Sequence, residues 1–185
     1  MTIDQILSTE YSFKFDEIRK QLMTLPEKPE VEEQFNKIRQ NMMVVSFHKY
    51  GPMQENYDEY KCMDAIGNIR KRLLKYHDTG NTEFLADVAN FAMIEFMYPS
   101  TKGAKYLQTW DKTEYVRESR KPFGIIETAI YEYNETKNTE YLAKIANFAL
   151  QEFAYPSLEG ASYTPTDDGA CEIAGFSVNE IKNFR

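Results

Sequence analysis

The chain is poor in the residues from which most recognisable sites are built. Among 185 residues there are two cysteines, Cys62 and Cys171, far apart in sequence, so neither a disulfide framework nor a thiolate metal site is indicated. The two histidines, His48 and His77, lie in unrelated contexts and make a zinc site or a histidine-based triad hard to assemble. No Gly-rich phosphate loop occurs and no cofactor motif is present, so no cofactor is expected. No run approaches the roughly eighteen apolar residues that a membrane span requires, and the opening Met-Thr-Ile-Asp-Gln has no signal-peptide character. A cytoplasmic protein without a membrane partner is therefore expected. Positive charge is also short: the formal net charge of −7 argues against a broad nucleic-acid surface.

What the chain has is a duplication. Asn81 to Tyr106 is written again from Asn138 to Tyr163 at a constant offset of 57 residues, and Gly67 to Tyr106 overlays Gly124 to Tyr163 with substitutions such as Phe84/Tyr141, Val88/Ile145 and Met93/Leu150. Such self-similarity marks two copies of one supersecondary unit. Each copy reads as helix, turn, helix, stop. Apolar residues at helical spacing place the first helices at about Met63 to His77 and Phe123 to Asn134. Asn81 and Asn138 stand where N-caps belong, with Glu83 and Glu140 just inside. Tyr98-Pro99 and Tyr155-Pro156 stop the second helices, because a residue before proline is pushed out of the helical region. The expectation is an all-α helical bundle of six or seven helices with an internal helix-turn-helix duplication. Its parts are an N-terminal helical arm (1–62), repeat unit 1 (63–106), a connector (107–122), repeat unit 2 (123–163), and a loop with a C-terminal helix (164–185), forming one domain.

On a helical wheel the first of the two second helices presents a wide apolar arc through Phe84, Leu85, Val88, Ala89, Ala92 and Phe96. Glu83, Asp87 and Asn90 fall on the polar side, as do Glu140, Lys144 and Asn147. Glu95 instead lies inside the apolar arc, and Glu152 repeats it. A carboxylate there must be paired, hydrogen-bonded or protonated. Either each accepts hydrogen bonds as a structural group, or the two meet near a pseudo-twofold axis and serve a ligand.

In the N-terminal part, Phe15 to Met23 reads as helical up to Leu25-Pro26, and a longer helix runs from Val31 to a break at Gly51-Pro52. Met42 to Phe47 alone would pass for a strand; the helical spacing before it decides for helix. Arg39 offers a planar fork for phosphate or carboxylate, Lys49 a compact charge, and Tyr50 and Tyr57 flat faces for stacking a base. The alternative is a solvated helix end with packing tyrosines. Tyr98, Tyr106, Tyr155 and Tyr163 mark equivalent ends of the two units, as interface residues or core caps. The connector holds the only tryptophan, Trp110, and a charged run, Asp111 to Arg120, with a short helix around Glu114 to Glu118. Asp167, Asp168 and Glu172 hint at a cation site, and Ser177 to Glu180 is a capping box ahead of Ile181 and Phe184.

The phrases Arg39-Gln-Asn-Met-Met-Val-Val-Ser-Phe-His-Lys-Tyr-Gly-Pro52, Thr79-Gly-Asn-Thr-Glu83 and Ala89-Asn-Phe-Ala-Met-Ile-Glu-Phe-Met-Tyr-Pro99 resemble an uncharacterised family of small phage and prophage proteins. The likeness covers Phe35 to Tyr106 and extends to Pro165-Thr-Asp-Asp168 and Ser177 to Phe184. It implies a phage association and, if phage-encoded, the host cytoplasm. The second unit has no counterpart of Lys49-Tyr-Gly-Pro52, so a site needing that phrase exists once per chain.

Three functions follow from these features. The first is a non-enzymatic protein that sequesters a small anionic, nucleotide-like ligand, such as a host-defence signal, using Arg39, Lys49, Tyr50, Tyr57, Glu95, Tyr98, Glu152 and Tyr155. The second is a protein-interaction module, a homo-oligomer, that inhibits a host protein. The third is a Mg²⁺-dependent enzyme: Glu83-Phe-Leu-Ala-Asp87 looks like the all-α nucleotide pyrophosphohydrolases, and residues four apart on a helix share one face. The weakness of the third is Lys144 at the position equivalent to Asp87.

Overall fold

The computed structural model describes residues 1–25, 27–60, 63–109 and 122–166. Among these residues there are seven α-helices and one π-helical turn: α1 (Ile3–Glu10), α2 (Phe13–Leu22), α3 (Pro29–Tyr50), the π turn (Glu55–Glu59), α4 (Ala65–Thr79), α5 (Glu83–Met97), α6 (Pro122–Thr136) and α7 (Glu140–Ala154). The protein is all-α. Two isolated bridges replace any sheet among the described residues. Cys62, Cys171, Trp110, the Asp111–Arg120 run, Asp167, Asp168, Glu172 and the C-terminal capping box lie outside the described residues.

Local signals account for the boundaries. Thr2 and Gln5 form a reciprocal capping box on α1, and Ser12 and Asp64 accept from backbone N–H groups to start α2 and α4. The Met42–Phe47 stretch is helical within α3, which ends at Gly51 with φ of 80°. At α5 and α7 the capping side chain sits one residue before the cap position: Asn81 Oδ1 accepts the Glu83 N–H at 3.0 Å, and Asn138 Oδ1 accepts that of Glu140 at 3.0 Å.

The four helices of the duplicated units pack as α4 on α5, α6 on α7, and α5 on α7. Arg70 of α4 pairs with Glu127 of α6 at 2.7 and 3.0 Å. These two residues occupy equivalent positions in the two units. A point and its symmetry mate touch only near the axis that relates them, so a pseudo-twofold passes close to this pair. The units also clasp one another through their tails. The segment after α5 runs beside the start of α7, with Lys105 N–H bonded to Lys137 C=O at 3.0 Å and Thr139 N–H to Lys105 C=O at 3.1 Å. The segment after α7 repeats this at α5, through Ser162 to Gly80 at 3.0 Å and Thr82 to Ser162 at 3.1 Å.

The symmetry extends further than the 57-residue repeat. The stretch Phe15-Asp-Glu-Ile-Arg-Lys-Gln-Leu-Met23 of α2 returns twenty residues later as Phe35-Asn-Lys-Ile-Arg-Gln-Asn-Met-Met43 of α3. α2 packs on α7 and α3 on α5. Phe15 meets Phe96 at 5.3 Å between ring centroids, and their equivalents Phe35 and Phe153 meet at 5.1 Å. Asn90 donates to Arg39 C=O at 3.0 Å, and Asn147 donates to Arg19 C=O at 3.0 Å. One hydrophobic cluster runs through all of these helices and includes Ile6 and Leu7 of α1.

The wide apolar arc implies that α5 is largely buried, and it is, as is α7; burial also extends to most of their polar sides. Glu83, Asn90, Glu140 and Asn147 are buried, because α3 and α2 cover the far sides of α5 and α7 and the tails cover their N-termini. Thr166 N–H donates to Glu83 at 2.7 Å, and the Thr109 hydroxyl donates to Glu140 at 2.6 Å.

Candidate functional site

Arg39 is the first residue to place, because its fork was expected to face a ligand. It is fully buried instead. Its Nη1 donates to Asp16 at 2.6 Å and its Nε to Asn90 at 3.1 Å, while the guanidinium lies over the rings of Tyr11, Phe15 and Phe35. The equivalent Arg19, also fully buried, reaches Glu32 at 3.3 Å and Asn36 at 3.0 Å. Tyr11 donates its hydroxyl to Asp16 as well. Burial alone would raise the Asp16 carboxyl, but Arg39 and Arg19 hold it below the usual value. Arg39 is thus part of a buried polar network at the α2–α3 junction, and it does not line the cavity described below.

Glu95 and Glu152 are each satisfied in the same way. Glu95 accepts from Ser100 N–H at 2.8 Å, Ser100 Oγ at 2.7 Å and the Tyr133 hydroxyl at 2.7 Å. Glu152 accepts from Ser157 N–H and Oγ at 2.7 Å and from the Tyr76 hydroxyl at 2.6 Å. Each carboxylate ties the turn after its own helix to the first helix of the other unit. Of the tyrosines at the unit ends, Tyr106 and Tyr163 pack at a tilt against Phe96 and Phe153, Tyr155 lies under the Lys28 ammonium at 4.0 Å, and Tyr98 is half-buried.

Tyr50 and Tyr57 do come together, as walls of a cavity of about 350 Å³. One wall is the last half of α3, which contributes Met42, Met43, Ser46, Phe47 and Tyr50. The π turn supplies Asn56 and Tyr57; its defining bond, Tyr60 N–H to Glu55 C=O at 2.8 Å, inserts one extra residue in the turn. Arg72 of α4 and Asp87, Asn90, Phe91 and Ile94 of α5 form the opposite side, Met53 and Met63 add two more thioethers, and Glu10 closes one end from the last position of α1. Half of the chain's eight methionines therefore line one cavity. Methionine is flexible and polarisable, a combination suited to contact with flat ligands. Tyr50, 71% exposed, stands at the mouth, and Lys49 adjoins it in the chain.

The polar groups of the cavity are few. Arg72 Nε donates to Asp87 at 2.9 Å, and its guanidinium lies 5.7 Å from the centroid of Phe91. Burial pushes the Asp87 carboxyl up to about 6; Arg72 opposes the shift and Glu83 adds to it. Tyr57 is raised chiefly by burial. Glu10 is raised chiefly by burial, with Met53 N–H opposing and Glu55 adding. Glu83 and Asp87, the expected metal pair, are engaged by Thr166 N–H and by Arg72 respectively, and no group of three or more His, Cys, Asp or Glu among the described residues is arranged to hold a metal ion.

The second unit lacks this cavity for reasons visible in its residues. Positions equivalent to Lys71, Arg72, Lys75 and Asp87 carry Thr128, Ala129, Glu132 and Lys144. With Thr128 and Ala129 in place of Lys71 and Arg72, an open groove of about 510 Å³ lies between α6 and α7, over Tyr141 and Phe148. The cover is missing too, because α2 ends at Leu22 where its twin α3 continues from Met42 to Tyr50. Among the described residues this methionine-lined cavity lies in the first unit, beside the single Lys49-Tyr-Gly-Pro52 phrase.

The cavity brings together Tyr50 and Tyr57, which the sequence marks as ligand-facing, and Asp87, which it marks only as a metal candidate. Sequence reasoning missed Glu10, Arg72 and the methionines, which come from five separate segments and converge only through tertiary packing. No protein-family model, curated protein or solved structure matches the chain. No helix among the described residues is long and apolar enough to cross a membrane. The fold and cavity define a class: an all-α protein with pseudo-twofold symmetry that, among the described residues, carries a methionine-lined cavity in its first half.

Proposed function

We propose that the chain is a non-enzymatic binding protein that captures a small nucleotide-like ligand. The base enters the cavity between Tyr50, Tyr57, Phe91 and the methionines, and the anionic part stays at the mouth beside Lys49. The observation that carries this reading is the cavity itself, about 350 Å³, apolar and aromatic with a handful of polar groups, which is the usual makeup of a small-molecule site. The charges argue for that orientation: Glu10 and Asp87 against Arg72 make the interior unfavourable for phosphates. The engagement of Asp87 by Arg72 favours holding over metal-assisted hydrolysis. The phage resemblance makes a nucleotide signal of a host defence system the favoured ligand. Native mass spectrometry of the purified protein, followed by denaturation and identification of what is released, tests the reading with and without added Mg²⁺. Recovery of an unchanged nucleotide supports capture; a chemically altered one sinks it and revives the Glu83/Asp87 hydrolase.

A second reading, a self-associating interaction module, rests on a separate observation. Leu74 and Tyr131, equivalent positions one turn from the Arg70–Glu127 pair, are 54% and 61% exposed, so an apolar patch lies near the pseudo-axis. Sedimentation velocity decides it: a dimer that Tyr131→Glu dissociates supports it, and a monomer at all concentrations removes it.

A further inference from the structure

Glu10 is a carboxylate in an unusual position. It is 5% exposed, yet it lines the cavity. One oxygen, Oε2, accepts the Met53 N–H at 2.9 Å; the other accepts no hydrogen bond among the described residues. Among the described residues the charged groups that act on it do not compensate. Glu55 beside it has the same sign, the Tyr98 phenol and Asp58 lie beyond, and Arg72, the cation of the cavity lining, is bonded to Asp87. Its free oxygen opens onto the cavity, so a ligand that displaces water from it must supply a donor N–H in return, and an approaching carbonyl oxygen is penalised.

Building on the capture reading, we propose that Glu10 selects the ligand by its base: it accepts a hydrogen bond from an amino group, so the cavity takes adenine- or cytosine-type bases and rejects partners that present a carbonyl at the same position. The discrimination rests on an unpaired acceptor. A site that must hydrogen-bond a donor rejects an analogue lacking it far more strongly than an apolar pocket rejects an extra methylene. Glu10 is therefore a specificity residue supplied by α1, outside both repeat units.

Matched nucleotide pairs test this directly. AMP and IMP differ at the exocyclic group on C6 and in the proton on the adjoining N1, and CMP and UMP differ in the same two ways at C4 and N3. Isothermal titration of the full chain is expected to give the amino member of at least one pair an affinity ten-fold or more above its carbonyl partner. In Glu10→Gln the amide oxygen still accepts the Met53 N–H, which turns the NH₂ toward the ligand as a donor, so the preference falls to parity or reverses. Thermal melting of the variant checks that it folds, and the wild-type comparison needs no variant at all. Equal affinities within a pair, or a preference that survives Glu10→Gln, overturns the assignment of Glu10 and leaves capture standing. If none of the four nucleotides binds but the purified protein retains another small molecule in the cavity, the base assignment again falls alone. If nothing binds and nothing is retained, both fall.

Discussion

Arg39 illustrates how a side chain's chemistry misleads without its surroundings. An arginine on an amphipathic helix, next to Lys49 and two tyrosines, reads as a ligand fork, and burial of so polar a group is rarely inferred from sequence. Its position is explained by Asp16, Asn90 and three aromatic rings that satisfy and cover it. Removing it leaves the Asp16 carboxylate buried beside one remaining arginine. Arg39→Ala is expected to lower stability by roughly 3–5 kcal/mol, read as a drop in the urea midpoint. A loss below about 1 kcal/mol would contradict the network described. Asp87 supplies a pH signature with a definite sign. Its carboxyl lies near 6 in the folded protein against 3.8 for an unperturbed aspartate, so between those values the folded chain holds a proton that the unfolded chain has released. Stability from this group is present at low pH and declines by up to about 3 kcal/mol as pH rises from about 4 to about 6. Arg72, Lys75, Glu83 and Tyr57 face the group, and Glu10 shifts in the same direction. Asp87→Asn should flatten the decline, leaving the part due to Glu10. Denaturation midpoints across pH 4–7 measure it, and an unchanged slope in the variant would refute the shift.

At the scale of elements, the duplication makes position-by-position comparison an internal control. Gly80 closes α4 with φ of 68°, and its equivalent Lys137 adopts φ of 58° to make the same turn into the clasp with Lys105. A lysine in the left-handed region carries a steric cost that glycine avoids. Lys137→Gly is expected to raise stability by about 1 kcal/mol, seen as a melting temperature several degrees higher; destabilisation would show that the lysine stem contributes more than its backbone costs. The four repeat helices were legible because Asn81/Asn138, Glu95/Glu152 and the Tyr-Pro stops recur at one spacing over long stretches. The relation of α2 to α3 was not, because it spans only nine residues and its clearest marker, Arg19/Arg39, looks like surface. The burial of Asn90 and Asn147 depends on that relation, so the wheel alone shows them only as the polar side of α5 and α7. The cavity was half legible: Tyr50 and Tyr57 stand close in sequence, whereas Glu10, Arg72 and Met63 reach it from separate segments.

Across the whole molecule, two-fold packing supplies the frame and departures from it supply the site. α3 runs a further two turns beyond its twin α2, the π turn follows it, and Arg72/Asp87 replace the Ala129/Lys144 of the other half. The proposed site lies where symmetry fails, on the extension of α3 and the residues that face it. Ser46 lies on that extension, in the wall of the cavity. Ser46→Trp would fill the space without removing a buried charge. The decisive measurement is native mass spectrometry of the wild-type protein and of Ser46→Trp, purified side by side, with the released small molecules identified. Capture predicts an unchanged ligand bound one per chain in the wild type and at least ten-fold less in a variant that still melts cooperatively. An equal load in both proteins, or a wild type that carries nothing and takes up no nucleotide, would contradict it.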